Sequence, residues 1–122
     1  GIFLDSCIAI LLYYLYECNA MSYSIFLMSA VERFLETMPP ADRGQFRANL
    51  TLLEHADFQL PYTKKLKGII RELIVGNYRF IFFIKDSSVY FTSAFKKKSA
   101  KTPRREIERA EKYYKLLDQQ HE

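Results

Sequence analysis

The stretch RELIVGNYRFIFFIKDSSVYFTSAF, residues 71–95, decides the fold. It holds three runs rich in β-branched and aromatic residues: RELIV, YRFIFFIK and SVYFTSAF. Only Gly76-Asn77 and Asp86-Ser87 separate them. Connections this short close antiparallel hairpins, so the stretch predicts a three-stranded meander.

Upstream of the meander, PYTKKLKG (61–68) reads as a polar, basic connection. Before it, the apolar period becomes helical. Phe46, Leu50 and Leu53 stripe one helix from about Ala41 to His55. Ala30, Val31, Phe34, Leu35 and Met38 stripe a shorter one that Pro39-Pro40 ends. Ser29 and Glu32 stand at the spacing of a capping box at its start. SYSIFLMS (22–29) reads as a short buried strand. Downstream, Thr102 and Pro103 suit the N-cap and first position of a last helix, packed through Ile107, Ala110, Tyr114 and Leu117. Strand, two helices, meander and helix make an α+β domain with helices laid on an antiparallel sheet, spanning 21–122.

The first twenty residues, GIFLDSCIAILLYYLYECNA, stand apart. The apolar run Ile8–Tyr16 is too short for a bilayer span, and no basic amino-terminal region marks a secretory signal. Three readings stay open: an extra core or interface helix, a membrane-touching segment, or a run added by a start upstream of Met21.

Charge is unevenly distributed along the chain. The net value is +4, but residues 61–115 carry 15 Lys and Arg against 5 Asp and Glu. The remainder is acidic, so a basic face sits on an acidic body. Such faces meet nucleic acid, acidic proteins or anionic membrane. Two cysteines, Cys7 and Cys18, and two histidines, His55 and His121, leave no disulfide framework and too few ligands for a zinc site. The four glycines lie too far apart for a phosphate-cradling loop. No metal and no cofactor is expected. His55 reads as a C-terminal helix cap and His121 as part of the tail, neither of them catalytic.

Four segments in order, KKLKG, REL, YRFIFF and AFKKKSAKTPRREIERA, resemble the RelE/HigB-like toxins of bacterial toxin–antitoxin pairs. The likeness is greatest to their phage-derived-protein branch, whose usual run is Phe-x-Lys-Lys-x-x-Lys-Thr-Pro before an acidic, apolar helix. Phe95, Lys97, Lys98, Lys101, Thr102 and Pro103 match it after a one-residue shift of the lysine pair. The resemblance covers about Tyr23–Leu117. It implies a RelE-like fold, cleavage of mRNA on the ribosome, a cytoplasmic setting and a cognate antitoxin, often a small helix-turn-helix protein. Two departures bear on activity: Ile74 stands where many relatives carry arginine, and Ser93 where many carry histidine.

RNA cleavage through its own 2′-hydroxyl requires alignment, neutralised phosphate oxygens and proton transfer, all available from side chains. The lone cation in YRFIFF, Arg79, is the first candidate clamp; the alternative is an ion pair with Glu72. Arg71 and Lys65 complete the expected catalytic set, Arg71 partly replacing the arginine absent at Ile74. Lys67, Lys96, Lys97, Lys98 and Lys101 are expected to hold RNA phosphates at the mouth of a cleft between sheet and last helix. Tyr78 and Tyr90 are candidates for base stacking, with sheet packing as the alternative. A competing reading is a non-catalytic RNA- or DNA-binding relative that has lost cleavage. A gyrase-poisoning toxin of the same fold is a third reading, against which the AFKKKSAKTP run argues.

Overall fold

The computed structural model describes residues 8–11 and 22–120. Its elements run β1 (Ser24–Leu27), α1 (Ser29–Thr37), α2 (Pro40–Glu54), β2 (Thr63–Lys67), β3 (Ile70–Val75), β4 (Tyr78–Lys85), β5 (Ser88–Lys96) and α3 (Arg104–Gln120). The five strands form one sheet in the order β1-β5-β4-β3-β2. β2 to β5 pair antiparallel, and β1 lies parallel to β5.

The α+β order expected from the sequence is present, with one addition. The basic segment read as a connection is the edge strand β2, so the meander has four strands. Lysine is compatible with that position, because an edge strand carrying solvated charge resists pairing with other chains. The turns explain why the hairpins close. Gly68 and Gly76 adopt φ of 56° and 57°, and Asp86 takes φ 56°, a left-handed conformation that Gly and Asp tolerate best.

Two helix starts differ from expectation. Ser29 lies inside α1, Met28 occupies the N-cap, and no side chain caps that end. The hydroxyl of Thr102 donates to the Glu72 carboxylate at 2.7 Å instead of capping α3. A buried carboxylate is a stronger acceptor than any alternative open to that hydroxyl.

Alternation along the strands divides the core into two layers. Leu73, Val75, Phe80, Phe82, Val89 and Phe91 face α1 and α2 and bury Val31, Leu35, Phe46, Leu50 and Leu53. Phe46 stacks on Phe80 with ring centroids 4.0 Å apart and meets Phe91 edge-on. Each such ring contributes about 1.5–3 kcal/mol by leaving water. Ile70, Ile81 and Phe83 face the other way, under Ala110, Ile107, Tyr114 and Leu117 of α3. His55 closes α2 with Nδ1 2.8 Å from the Thr51 carbonyl oxygen.

Residues 1–7 and 12–21 lie outside the described residues, so the expectations for that segment remain as stated. Residues 8–11 are helical, and Ile8, Ile10 and Leu11 are exposed. Among the described residues no helix is long and apolar enough to cross a membrane.

Candidate functional site

Strand register determines which side chains meet. On the α3 face, Ile74 lies opposite Arg79, and Arg79 opposite Phe95. The amide of Ile74 donates to the Tyr62 carbonyl at 2.9 Å, extending the ladder by one pair beyond β2. Tyr62, Ile74, Arg79 and Phe95 therefore form one row across four adjacent chain segments. The next row is Lys64, Glu72, Ile81 and Ser93. The first row and part of the second line a cleft of about 600 Å³ at this end of the sheet. Its far wall is the segment 96–103 together with Arg105 and Glu106 of α3.

Arg79 is held by its own hairpin. Its NH1 donates to the carbonyls of Gly76 and Tyr78 at 2.9 and 3.0 Å. Nε and NH2 make no hydrogen bond among the described residues, so the guanidinium keeps donors for a ligand. The expected alternative partner, Glu72, is buried and occupied by Thr102. That bond ties the lysine-bearing segment to the sheet, as does the Lys97 amide donating to the Asn77 carbonyl at 2.7 Å.

Lys96, Lys97, Lys98 and Lys101 all line the cleft. Lys64 and Arg105 add charge to the same walls. Two carboxylates lie beneath this cationic rim, Glu72 and Glu106, 5% and 8% exposed. Glu106 Oε1 is 3.5 Å from Arg105 Nε, whereas Oε2 stands 3.8 Å from Arg109 and forms no hydrogen bond. The hydroxyl of Ser93 is buried and also has no hydrogen-bond partner among the described residues. Among the described residues no group of three or more His, Cys, Asp or Glu side chains gathers as a metal site.

Several candidate residues fall elsewhere. Arg71 and Lys65 are a register pair on the opposite face, the parity of Leu73, and Arg71 donates to Thr63 Oγ1 at 3.0 Å. They do not meet Arg79. Lys67 pairs with Glu111 of α3 at 3.3 Å, away from the cleft. Tyr78 faces α1, where it meets Phe34 edge-on at 5.9 Å. Burial, then the charge and hydrogen bond of Asp42, hold its phenol above the ordinary tyrosine pKa. Tyr90 is stacked between Phe26 and Phe83 at 5.0 and 5.3 Å as part of the sheet surface. The packing alternative describes where both tyrosines stand.

Tyr62, Lys64, Arg105 and Glu106 are among the cleft residues that sequence reasoning missed, and the first two had a signal that could have found them. Once β2 is recognised as a strand, the Tyr-x-Lys spacing puts both on one face. TKKLK lacks the apolar alternation that would have revealed the strand.

A family profile described as phage derived protein Gp49-like matches residues 33–115. No curated protein matches the sequence significantly. Among solved structures, a chain of the archaeal RelE–RelB complex from Pyrococcus horikoshii OT3 is similar at 20% identity and TM-score 0.58, over 65% of this chain and 99% of its own. A chain of the RelB–RelE antitoxin–toxin complex from Methanococcus jannaschii is similar at 16% identity and TM-score 0.53, over 58% and 88%. The isolated E. coli RelE toxin is similar at 16% identity and TM-score 0.52, over 80% and 98%. These likenesses identify the fold as that of RelE.

Proposed function

Since the chain belongs to the Gp49-like family of phage-derived proteins, we propose that it is the toxin of a toxin–antitoxin pair and cleaves mRNA on the ribosome. The observation that carries this reading is the cleft itself. One arginine is fixed on its floor, and four lysines of the expected set are held along its wall. Arg79 neutralises the phosphate oxygens on which charge grows as the 2′-oxygen attacks. Preorganised cations of this kind are often the largest single term in such catalysis. Lys96, Lys97, Lys98, Lys101 and Lys64 hold flanking phosphates and set the position of the strand without reading bases. The place of action is the cytoplasm, where mRNA is translated.

RelE-type chains in the similar structures are described in complex with RelB antitoxins. By analogy this chain's partner is an antitoxin, a small helix-turn-helix protein whose acidic or apolar segment covers the cationic cleft. Opposite charge speeds such an encounter and makes it salt-sensitive.

Ile74 supports a second reading. It lies opposite Arg79 and leaves the floor with a single cation, as befits a binding relative that has lost cleavage. Primer extension on translating ribosomes separates the two. The toxin reading requires new mRNA 5′ ends with the parental protein that are lost with Arg79→Ala. Ribosome binding with intact mRNA would leave the binding module instead.

A further inference from the structure

Tyr62 is an aromatic side chain with no aromatic partner among the described residues, 67% exposed, at the rim of a cationic cleft. Its backbone is fixed by the hydrogen bond to Ile74, so it does not sit on a loose loop. Within the row, Ile74 separates it from Arg79, and adjacent members lie about 4.5–5.5 Å apart. Half-buried Ile74 and exposed Tyr62 thus form a continuous apolar surface directly beside the guanidinium. Lys64 flanks the surface from the same edge strand, and Lys96–Lys98 close it from across the cleft.

An apolar step set among cations suits a ligand with an apolar face and a charged backbone. Single-stranded nucleic acid has that character, because every base offers a π-face and every link a phosphate. A base paired within a duplex has its faces covered by neighbouring pairs. An acidic protein segment would engage the lysines yet has no comparable use for an isolated aromatic face. We propose that Tyr62 and Ile74 form a stacking platform for one unpaired base of an RNA strand whose adjoining phosphate is held by Arg79. The inference rests on the RNA-cleft reading above. It adds that one base of the bound strand is turned toward β2. It also gives Ile74 a use: isoleucine at this position exchanges a second phosphate contact for a base contact.

The test uses a short 2′-O-methyl oligouridine carrying one 2-aminopurine, a probe that resists cleavage and whose fluorescence falls on stacking. Parental protein should bind it and quench it, and should leave the fluorescence of the corresponding duplex, already low from its own stacking, unchanged. Tyr62→Ala should weaken binding roughly 5- to 150-fold and abolish quenching, with the salt dependence unchanged. Tyr62→Phe, which keeps the ring, should behave as the parent. The paired substitutions Lys97→Ala and Lys98→Ala should flatten the salt dependence and leave quenching at saturation intact. If Tyr62→Ala binds and quenches as the parent while the lysine pair weakens binding, the platform is overturned and the RNA cleft stands. Equal loss in Tyr62→Phe and Tyr62→Ala would overturn stacking in favour of a role for the hydroxyl. Loss of antitoxin affinity alone in Tyr62→Ala would make the surface a protein-docking site. If the parental protein binds no single-stranded RNA at all, platform and cleft reading fall together.

Discussion

Arg79 spends one guanidinium nitrogen on two carbonyls of its own hairpin, so the turn bears its ordering cost before any ligand arrives. Removing a preorganised donor of this kind costs about 2.7–4 kcal/mol of transition-state stabilisation. Arg79→Ala should therefore slow cleavage about 100- to 1,000-fold on ribosomes, read by primer extension, with little change in ribosome binding. Ser93 leads to the opposite expectation. Its hydroxyl is buried without a partner among the described residues, a desolvation cost with no return. Ser93→Ala should raise stability by about 1 kcal/mol, seen as a thermal midpoint a few degrees higher. Arg79 was legible in the sequence because a lone cation in an apolar strand is conspicuous. The choice between Lys64 and Lys65 was not. Both are exposed lysines, and only pairing with Glu72 or Arg71 assigns them to opposite faces.

At the scale of elements, the segment between β5 and α3 lacks regular structure yet brings Lys97, Lys98 and Lys101 to the cleft. Its anchor is the Thr102–Glu72 bond. Thr102→Val keeps the shape and removes the donor, leaving a buried carboxylate short of a partner. The expected cost is about 1–3 kcal/mol. Amide exchange at 97–103 should rise in the same variant, and Thr102→Ser should restore protection. α3 is tied to the sheet at its other end by Lys85, whose Nζ lies 3.4 Å from Asp118 and 5.6 Å from the centre of the Tyr114 ring. Partial burial opposes the lysine charge. The Asp118 hydrogen bond and the fields of Asp86, Asp118 and Tyr114 outweigh it, raising the pKa. Tyr78 is raised as well, by burial and by Asp42. Both groups hold their proton more tightly folded than unfolded. Their stabilisation is complete below about pH 10 and is lost as pH climbs through the folded values. Unfolding followed from pH 9 to 11 should show that decline, and Asp118→Asn should flatten it. Apart from β2, the order of elements was legible from period and turn residues; the Thr102–Glu72 bond was not. Threonine before proline fits a helix start, and only the fold brings Glu72 within reach of it.

Across the whole molecule, the two faces of the sheet have different duties. The α1/α2 face is a continuous apolar core. The α3 face gives its end to the charged cleft and shelters two carboxylates there. The apolar segment before β1 is a separate matter. β1 is fixed from within the domain: Tyr23 donates to the Glu54 carbonyl at 2.8 Å and Ser24 to that of Ser87 at 2.9 Å. A chain starting at Met21 should therefore keep its cooperative unfolding and its midpoint; an insoluble product would assign residues 1–20 to the core. The parallel pairing of β1 with β5 has a kinetic consequence. Ser24 meets Ser88 across more than half of the chain, so β1 waits during synthesis for β5, the last strand of the described residues. Apart from Phe34, every residue lining the cleft comes from the chain between Tyr62 and Glu106. At roughly 5–20 residues per second, several seconds separate the emergence of β1 from completion of the site. On the toxin reading proposed above, a nascent chain is inert until that moment, and an antitoxin has that interval in which to be waiting.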